Sequence, residues 1–247
     1  MINLVVIPDI HGISDWRFPV TNALKDPNAH IVFLGDYVDT HVQGNDWKIF
    51  ENLKEIINIK KKNPDRITLL IGNHDAAYVY NKPNISGFNY FMQYSYRDIF
   101  NSNWNLFQLA WGYQGKEKYI LVTHAGLTNW FYDALIHEAR CGRMNQIFKD
   151  IDFMKLPLHE FINYFDNEHD LIWTIGISRG GMSFTGSILW ADMYELVTDN
   201  YAGIDQIVGH TNIRSVAIKN ILGDKLYFVD NHDEYHETLS AFSIELD

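Results

Sequence analysis

The stretch "IVFLGDYVDTH", residues 31–41, runs from a buried-type strand into a glycine and two aspartates. One Asp at a strand end is ordinary, because Asp favours turns and helix N-caps. A D-x-x-D pair, Asp36 and Asp39, directly after Gly35 is less ordinary, and the surrounding pattern decides how to read it. Upstream, residues 2–7 form a β-branched run and residues 16–24 fit a short helix. Residues 31–34 make a second strand. Downstream, Phe50, Leu53, Ile56, Ile57 and Lys60 fall at helical spacing, and residues 67–71 follow an Asn63-Pro64-Asp65 turn as a third strand. This alternation predicts parallel βαβ units. The strands read as continuous apolar runs, as expected when both faces of a sheet are covered.

Beyond this the chain changes character. Residues 88–111 are rich in aromatics and Asn and read as loosely helical, and residues 118–122 restore a strand. Residues 130–165 read as mainly helical, with Pro157 opening a helix, and "SRGGMSFTG" (178–186) is a glycine-rich loop. Strands return at 205–208, 214–218, 225–229 and 238–244. Without repeats, low-complexity tracts or linkers, a single domain over 1–247 is expected, with a helical and aromatic inserted region at about 88–185.

The 247 residues are 47% hydrophobic and 15% aromatic, ample for a core and unlike a disordered chain. There is no apolar run of about 18 residues that would span a membrane. "MINLVVIPD" lacks a basic n-region and reads as a first strand rather than a signal peptide, which suggests an intracellular, cytoplasmic protein. The lone Cys141 excludes an internal disulfide and a thiolate zinc site. A net charge of −11 argues against a general nucleic-acid surface. The small basic cluster Lys60, Lys61 and Lys62 suits the C-terminal turn of a helix.

The informative residues sit where strands stop. "PDIHG" gives Asp9 and His11, "GDYVD" gives Asp36 and Asp39, and "GNHD" gives Asn73, His74 and Asp75. "THAG" gives His124 and "GHTN" gives His210. Each alone has an ordinary explanation as a turn or cap residue. Repetition at successive strand ends does not, since open α/β sheets bind ligands beyond the carboxyl ends of their strands. Carboxylate and imidazole donors without thiolates suit Mn, Fe, Zn, Co or Ni. They are too many for one tetrahedral ion and about enough for two ions roughly 3.5–4 Å apart, an arrangement used for displacement at phosphorus.

The ordered series D-x-H, G-D-x-x-D, G-N-H-D, H-A-G and G-H-T resembles the calcineurin-like metallophosphoesterases. "GDYVD", "GNHD" and "ILWAD" (188–192) are most similar to their phosphoprotein phosphatase branch and its bacterial and phage relatives. The resemblance covers nearly the whole chain, and it implies an α/β fold, a four-layer β-sandwich flanked by helices. By that resemblance Asp9 and His11 bind a first metal, Asp36 bridges two metals, and Asn73, His124 and His210 complete the second. Manganese is the first expectation for both ions, and a water between them would be the nucleophile. His74 would be the general acid towards the leaving alkoxide, with Asp39 as its orienting partner, because a carboxylate favours the protonated imidazole. Asp75 reads as a helix cap.

Two departures from the family pattern matter. Phosphoprotein phosphatases carry "GDxVDRG", whose Arg grips substrate phosphate; here Thr40 and His41 stand there. Bidentate guanidinium contacts are hard to replace with a hydroxyl. Many other branches carry "GHxH", whose last His binds the first metal; here it is Asn212. Arg179 and, less so, His41 are candidates to hold substrate phosphate instead. Asp230, in "YFVDNH", is a candidate to support the site from behind the ligands. Phe88, Tyr90, Phe91, Tyr94 and Tyr96 either line a pocket for a base or peptide or pack as core.

The expected activity is hydrolysis of phosphomonoesters, serine/threonine-protein-phosphatase-like, on a phosphorylated protein or small phosphoester. Two alternatives stay open: a dinucleoside polyphosphate or phosphodiester hydrolase on the same scaffold, and a non-catalytic binding protein that retains the fold. Nothing in the sequence speaks to the oligomeric state.

Overall fold

The computed structural model describes residues 1–40, 42, 46–142 and 144–247. In chain order the elements are β1 (Ile2–Ile7), α1 (Arg17–Ala23), β2 (Ala29–Phe33), α2 (Asp46–Lys62), β3 (Ile67–Leu70), α3 (Asn73–Val79), α4 (Gln93–Ser102) and β4 (Phe107–Gln108). There follow β5 (Ala110–Gln114), β6 (Tyr119–Thr123), α5 (Asn129–Cys141), α6 (Asn145–Phe148), α7 (Leu158–Asn163), α8 (His169–Ile172) and α9 (Met193–Asp199). The chain ends with β7 (Ile204–Val208), β8 (Ala217–Ile221), β9 (Asp224–Phe228) and β10 (Phe242–Leu246). The fold is mixed α/β, with two five-stranded sheets and flanking helices. Two compact units hold them: residues 1–108, 212–216 and 229–247 form the first, and 109–211 with 217–228 the second.

In the first unit the strand order is β10-β1-β2-β3-β4. β1 to β4 pair in parallel and β10 runs antiparallel on the edge, so the βαβ expectation holds. Leu4, Val6, Ile7, Ile31, Val32, Phe33 and Leu69 are wholly buried, which explains their unbroken apolar runs. Each such side chain contributes about 1.5–3 kcal/mol by leaving water. Helix α2 forms because Ile49, Leu53, Ile56 and Ile57 share one face, with Asp46 in its first turn and three lysines in its last. Lys60 Nζ donates to the carbonyls of Pro64 (2.7 Å) and Ile67 (2.6 Å), tying the helix end to β3. Buried Trp16 donates its indole N–H to Asn52 (2.9 Å), and Asn52 donates to the Ile13 carbonyl (3.1 Å). This pins α2 to the loop after β1.

In the second unit the order is β5-β6-β7-β9-β8, with β6, β7 and β9 parallel and both edges antiparallel. Asn163 at the end of α7 accepts from the backbone N–H groups of Leu109 and Ala110 and donates to the Ala110 carbonyl, each at 2.9 Å. That clasp fixes the start of β5.

Three boundaries differ from the sequence expectation. Residues 88–111 contain one α-helix, α4, and a 3-10 turn at Trp104–Leu106, and then run into β4 and β5, because Trp111 and Tyr113 alternate around Gly112 and pair with β6. The expected strand at 214–218 lies at 217–221. There Leu222 and Gly223 both take positive φ (51° and 97°), a two-residue hairpin turn that sets the register Ile221↔Asp224. The last strand starts at Phe242 rather than 238, where pairing with β1 begins. No helix among the described residues is long and apolar enough to cross a membrane.

Candidate metal centre

Parallel pairing brings the ends of β1, β2 and β3 to one edge of the first sheet, and the polar residues predicted there collect on it. Asp9, His11, Asp36, Asp39, Asn73 and His74 are all buried. The loops interlock through backbone: His11 N–H donates to the Asp36 carbonyl at 2.7 Å. His74 N–H donates to Asp36 Oδ1 at 2.9 Å, so Asp36 sits against the first turn of α3. Two glycines allow this approach. Gly35 takes φ 110°, and a Cβ on Gly72 would lie 2.1 Å from Asp36 Oδ1. His11, Asp36 and Asp39 themselves have positive φ (41°, 49° and 65°), a costly backbone state for residues with side chains. Strain of that kind is concentrated at sites with a function.

His74 and Asp39 meet as expected. Nδ1 of His74 lies 3.0 Å from Asp39 Oδ2, and the Tyr78 hydroxyl donates to Asp39 Oδ1. Tyr78 in turn accepts from the Asn89 N–H at 2.8 Å and stacks on Phe88 (4.4 Å). Asp39 is therefore a fixed two-sided acceptor that leaves Nε2 as the outward nitrogen of His74. The aromatic group divides: Tyr96 is buried against Tyr78, while Tyr90, Phe91 and Tyr94 are exposed. Asp75 accepts from the N–H groups of Gly72 (3.0 Å) and Tyr37 (2.8 Å), the behaviour of a cap at the third position of α3.

Asp230 lies behind this edge, buried, with Oδ1 2.6 Å from His232 Nδ1. Its Oδ2 is buried without a hydrogen-bond partner among the described residues. His232 and Glu234 are functional candidates that the sequence reading passed over. The rings of His11 and His232 lie 4.7 Å apart, and His232 Nε2 is 3.6 Å from Glu234 Oε1. A signal was available: Asp230-Asn231-His232 repeats the D-x-H spacing of Asp9-Ile10-His11.

The electrostatics favour a cation here. Burial, then the charges of Asp9 and Asp75, push the Asp36 carboxyl well above the usual range. Burial likewise raises Asp75 to about 8, against the hydrogen bonds from Gly72 and Tyr37. Burial lowers His11 to about 3, helped by His74 and His232. For His232 burial also acts downwards, but the hydrogen bond with Asp230 and the nearby Glu234 carboxylate outweigh it and push the imidazole up to about 10. Crowded, buried carboxylates are expensive unless positive charge lies among them. Ligand atoms of His11, Asp36 and His74 lie within 4.8 Å of one another, as do those of His11, His232 and Glu234. This thiolate-free set of carboxylate and imidazole fits a borderline divalent ion such as Mn, Zn or Fe.

In the second unit, His124 follows β6 and His210 follows β7, and these strands pair in parallel. Nε2 of buried His124 is 3.2 Å from Nδ1 of His210, whose φ is 63°. Trp190 of "ILWAD" packs edge-on to His210 at 5.8 Å. Arg179 is held beside the same loop: Nη2 donates to Thr211 (2.7 Å), and Nε approaches Asp192 at 2.9 Å. The angle of that second contact is too poor for a hydrogen bond, so it is an ion pair only. Asp192 also caps α9 by accepting from the Tyr194 N–H. His41 lies outside the described residues.

The calcineurin-like phosphoesterase family profile matches residues 2–214, and the chain belongs to that family of metal-dependent hydrolases. One segment is 36% identical over 84 residues to serine/threonine-protein phosphatase 7 of Arabidopsis thaliana, covering 31% of this chain and 18% of that one. The match thus spans under a fifth of the curated relative. Among solved structures, the cold-active protein-tyrosine phosphatase of a psychrophile, Shewanella sp., superposes with a TM-score of 0.59 at 14% identity, covering 99% of this chain and 76% of that one. A mutant form of a cold-active protein tyrosine phosphatase gives 0.56 at 15%, with the same coverage. At such identities these structures speak to the fold.

Proposed function

We propose that this chain is a dinuclear metal-dependent phosphoesterase acting on phosphomonoesters. The observation that carries the reading is the Asp39–His74 pair, fixed one residue from Asn73 and bonded through backbone to Asp36. In this reading Asp9, His11 and Asp36 would hold the first ion, while Asn73 in the same unit and His124 and His210 in the second unit are the remaining metal-binding candidates. Bound there, the ions would supply Lewis-acid activation of water and of a phosphoryl oxygen.

The chain's own residues do the rest. Asp39 orients the His74 ring through Nδ1 and stabilises its cationic form, and Tyr78 stops Asp39 from rotating. His74 then delivers a proton from Nε2 to the departing ester oxygen, a step worth about 10²–10⁴ in rate. Arg179, restrained by Thr211 and Asp192, is the residue proposed to hold phosphate oxygens, the task of the missing arginine after Asp39. The phosphatase names of the relatives support phosphomonoesters over dinucleoside polyphosphates, and phosphoserine, phosphothreonine and phosphotyrosine peptides are the first substrates to try.

The test is a substrate panel with Mn2+: a generic aryl phosphate, the three phosphopeptides and diadenosine tetraphosphate. Hydrolysis of the aryl phosphate and of at least one phosphopeptide is expected. Cleavage of diadenosine tetraphosphate alone would replace the substrate class, and no hydrolysis at all would favour a binding protein.

A further inference from the structure

Asn212 stands where many branches of the family place a histidine on the first metal, so that ion is short of a nitrogen. We propose that His232 and Glu234 are ligands of the first metal and make up the deficit, an inference that rests on the dinuclear reading above.

The geometry is that of a built site. His232 is half-buried, and its Nδ1 is taken by Asp230 Oδ1 at 2.6 Å, which presents Nε2 as the outward donor. A carboxylate behind a ligand imidazole is the usual way a metal-binding histidine is oriented. Nε2 lies 3.6 Å from Glu234 Oε1, beyond hydrogen-bond range. Two donors at about 2.1 Å from one ion stand roughly 3.0–3.5 Å apart, so the observed gap is only slightly wider than a shared metal requires. Glu234 is aimed by its other oxygen, which accepts from the Thr40 hydroxyl. Ligand atoms of His232 and Glu234 lie within 4.8 Å of one on His11, a residue already assigned to this ion.

Independent observations point the same way. Asp230 Oδ2 is buried without a hydrogen-bond partner among the described residues, an expensive state that a nearby cation relieves. Asn212 has not simply lost its function: its Nδ2 donates to the His232 carbonyl at 2.9 Å. The position that elsewhere supplies the imidazole here anchors the loop that carries another one. Thr40, where relatives have arginine, similarly positions Glu234. Both departures from the family pattern thus converge on one ion.

Metal-free protein, its His232→Ala variant and its Glu234→Gln variant would be titrated with Mn2+, with bound metal counted after equilibrium dialysis. The unaltered chain should bind two ions. His232→Ala should keep one and bind the other at least about tenfold more weakly, and Glu234→Gln, nearly isosteric, should weaken the same ion. Co2+-loaded protein gives a readout free of catalysis: the visible ligand-field bands should change in His232→Ala, while far-ultraviolet circular dichroism stays the same. Two ions bound by both variants with unaltered affinity, and an unaltered Co2+ spectrum, would overturn the assignment. Should the unaltered chain bind no ion, the dinuclear reading fails first and this inference with it. If His232→Ala does not fold, the Glu234→Gln titration decides alone.

Discussion

At the scale of single residues, the site is a set of side chains held in states they would not choose. Asp36 and Asp39 have left-handed backbones, and Asp36 is wedged against Gly72 with no space for a methyl group. Gly72→Ala should therefore displace the Asp36 carboxylate, cost about 1–3 kcal/mol of stability and reduce bound metal, as urea unfolding and metal analysis would reveal. His74→Asn should leave metal content intact and slow alkyl phosphates by about 10²–10⁴. It should slow aryl phosphates much less, because a good leaving group needs no proton; kcat across a leaving-group series measures this. An equal loss across the series would remove His74 from the acid role. The pairing of His74 with Asp39 was legible in the sequence as motif order. His232 was passed over although its D-x-H follows a strand as Asp9 and His11 do, because the family motifs end before it and only Asp230 was taken from that strand end.

Secondary-structure elements were legible where burial is two-sided. β1, β2 and β3 read directly because covered strands carry unbroken apolar runs. The edges were not legible: apart from buried Ala110, β5 and β8 mix exposed and half-buried residues, and their bounds come from turn and partner rather than composition. One element-level consequence concerns His30, on β2, whose Nε2 lies 3.0 Å from the Thr68 hydroxyl of β3. Burial, then the charge of Lys60, lowers this imidazole to about 4. The folded chain thus resists a proton that the unfolded chain accepts below pH ~6.5. Stability from this group is complete above that value and is lost as pH falls towards 4, by about 2 kcal/mol once residual exposure is allowed for. His30→Gln, which keeps a hydrogen-bonding group opposite Thr68, should flatten the slope in urea unfolding between pH 7 and 5. An unchanged slope would place the acid sensitivity elsewhere.

For the molecule as a whole, fold class and family were readable from motif order, and the family profile matches residues 2–214. The division into two compact units was not readable, since the first is assembled from three separate segments with no linker composition between them. The crowding of buried carboxylates predicts that metal is also a stabiliser. Mn2+ at 100 times its Kd should raise the unfolding free energy by about 2.7 kcal/mol per site through binding to the folded state alone. Thermal melts with Mn2+ and with a chelator would measure it, and Asp36→Asn should lose most of the increment. A Tm indifferent to both additions would mean that the carboxylates are neutralised by protons instead.

The bond from Thr40 to Glu234 also bears on how such a protein changes over time. An arginine placed at residue 40 would stand beside the Glu234 carboxylate, so taking up the "VDR" pattern would pair the guanidinium with that carboxylate. Only with Glu234 altered as well would the guanidinium be available, and the gain would surface in the double variant alone. Residues 40 and 234 lie far apart in the chain yet constrain each other's alternatives, and a family alignment that treats its columns independently would miss the pair.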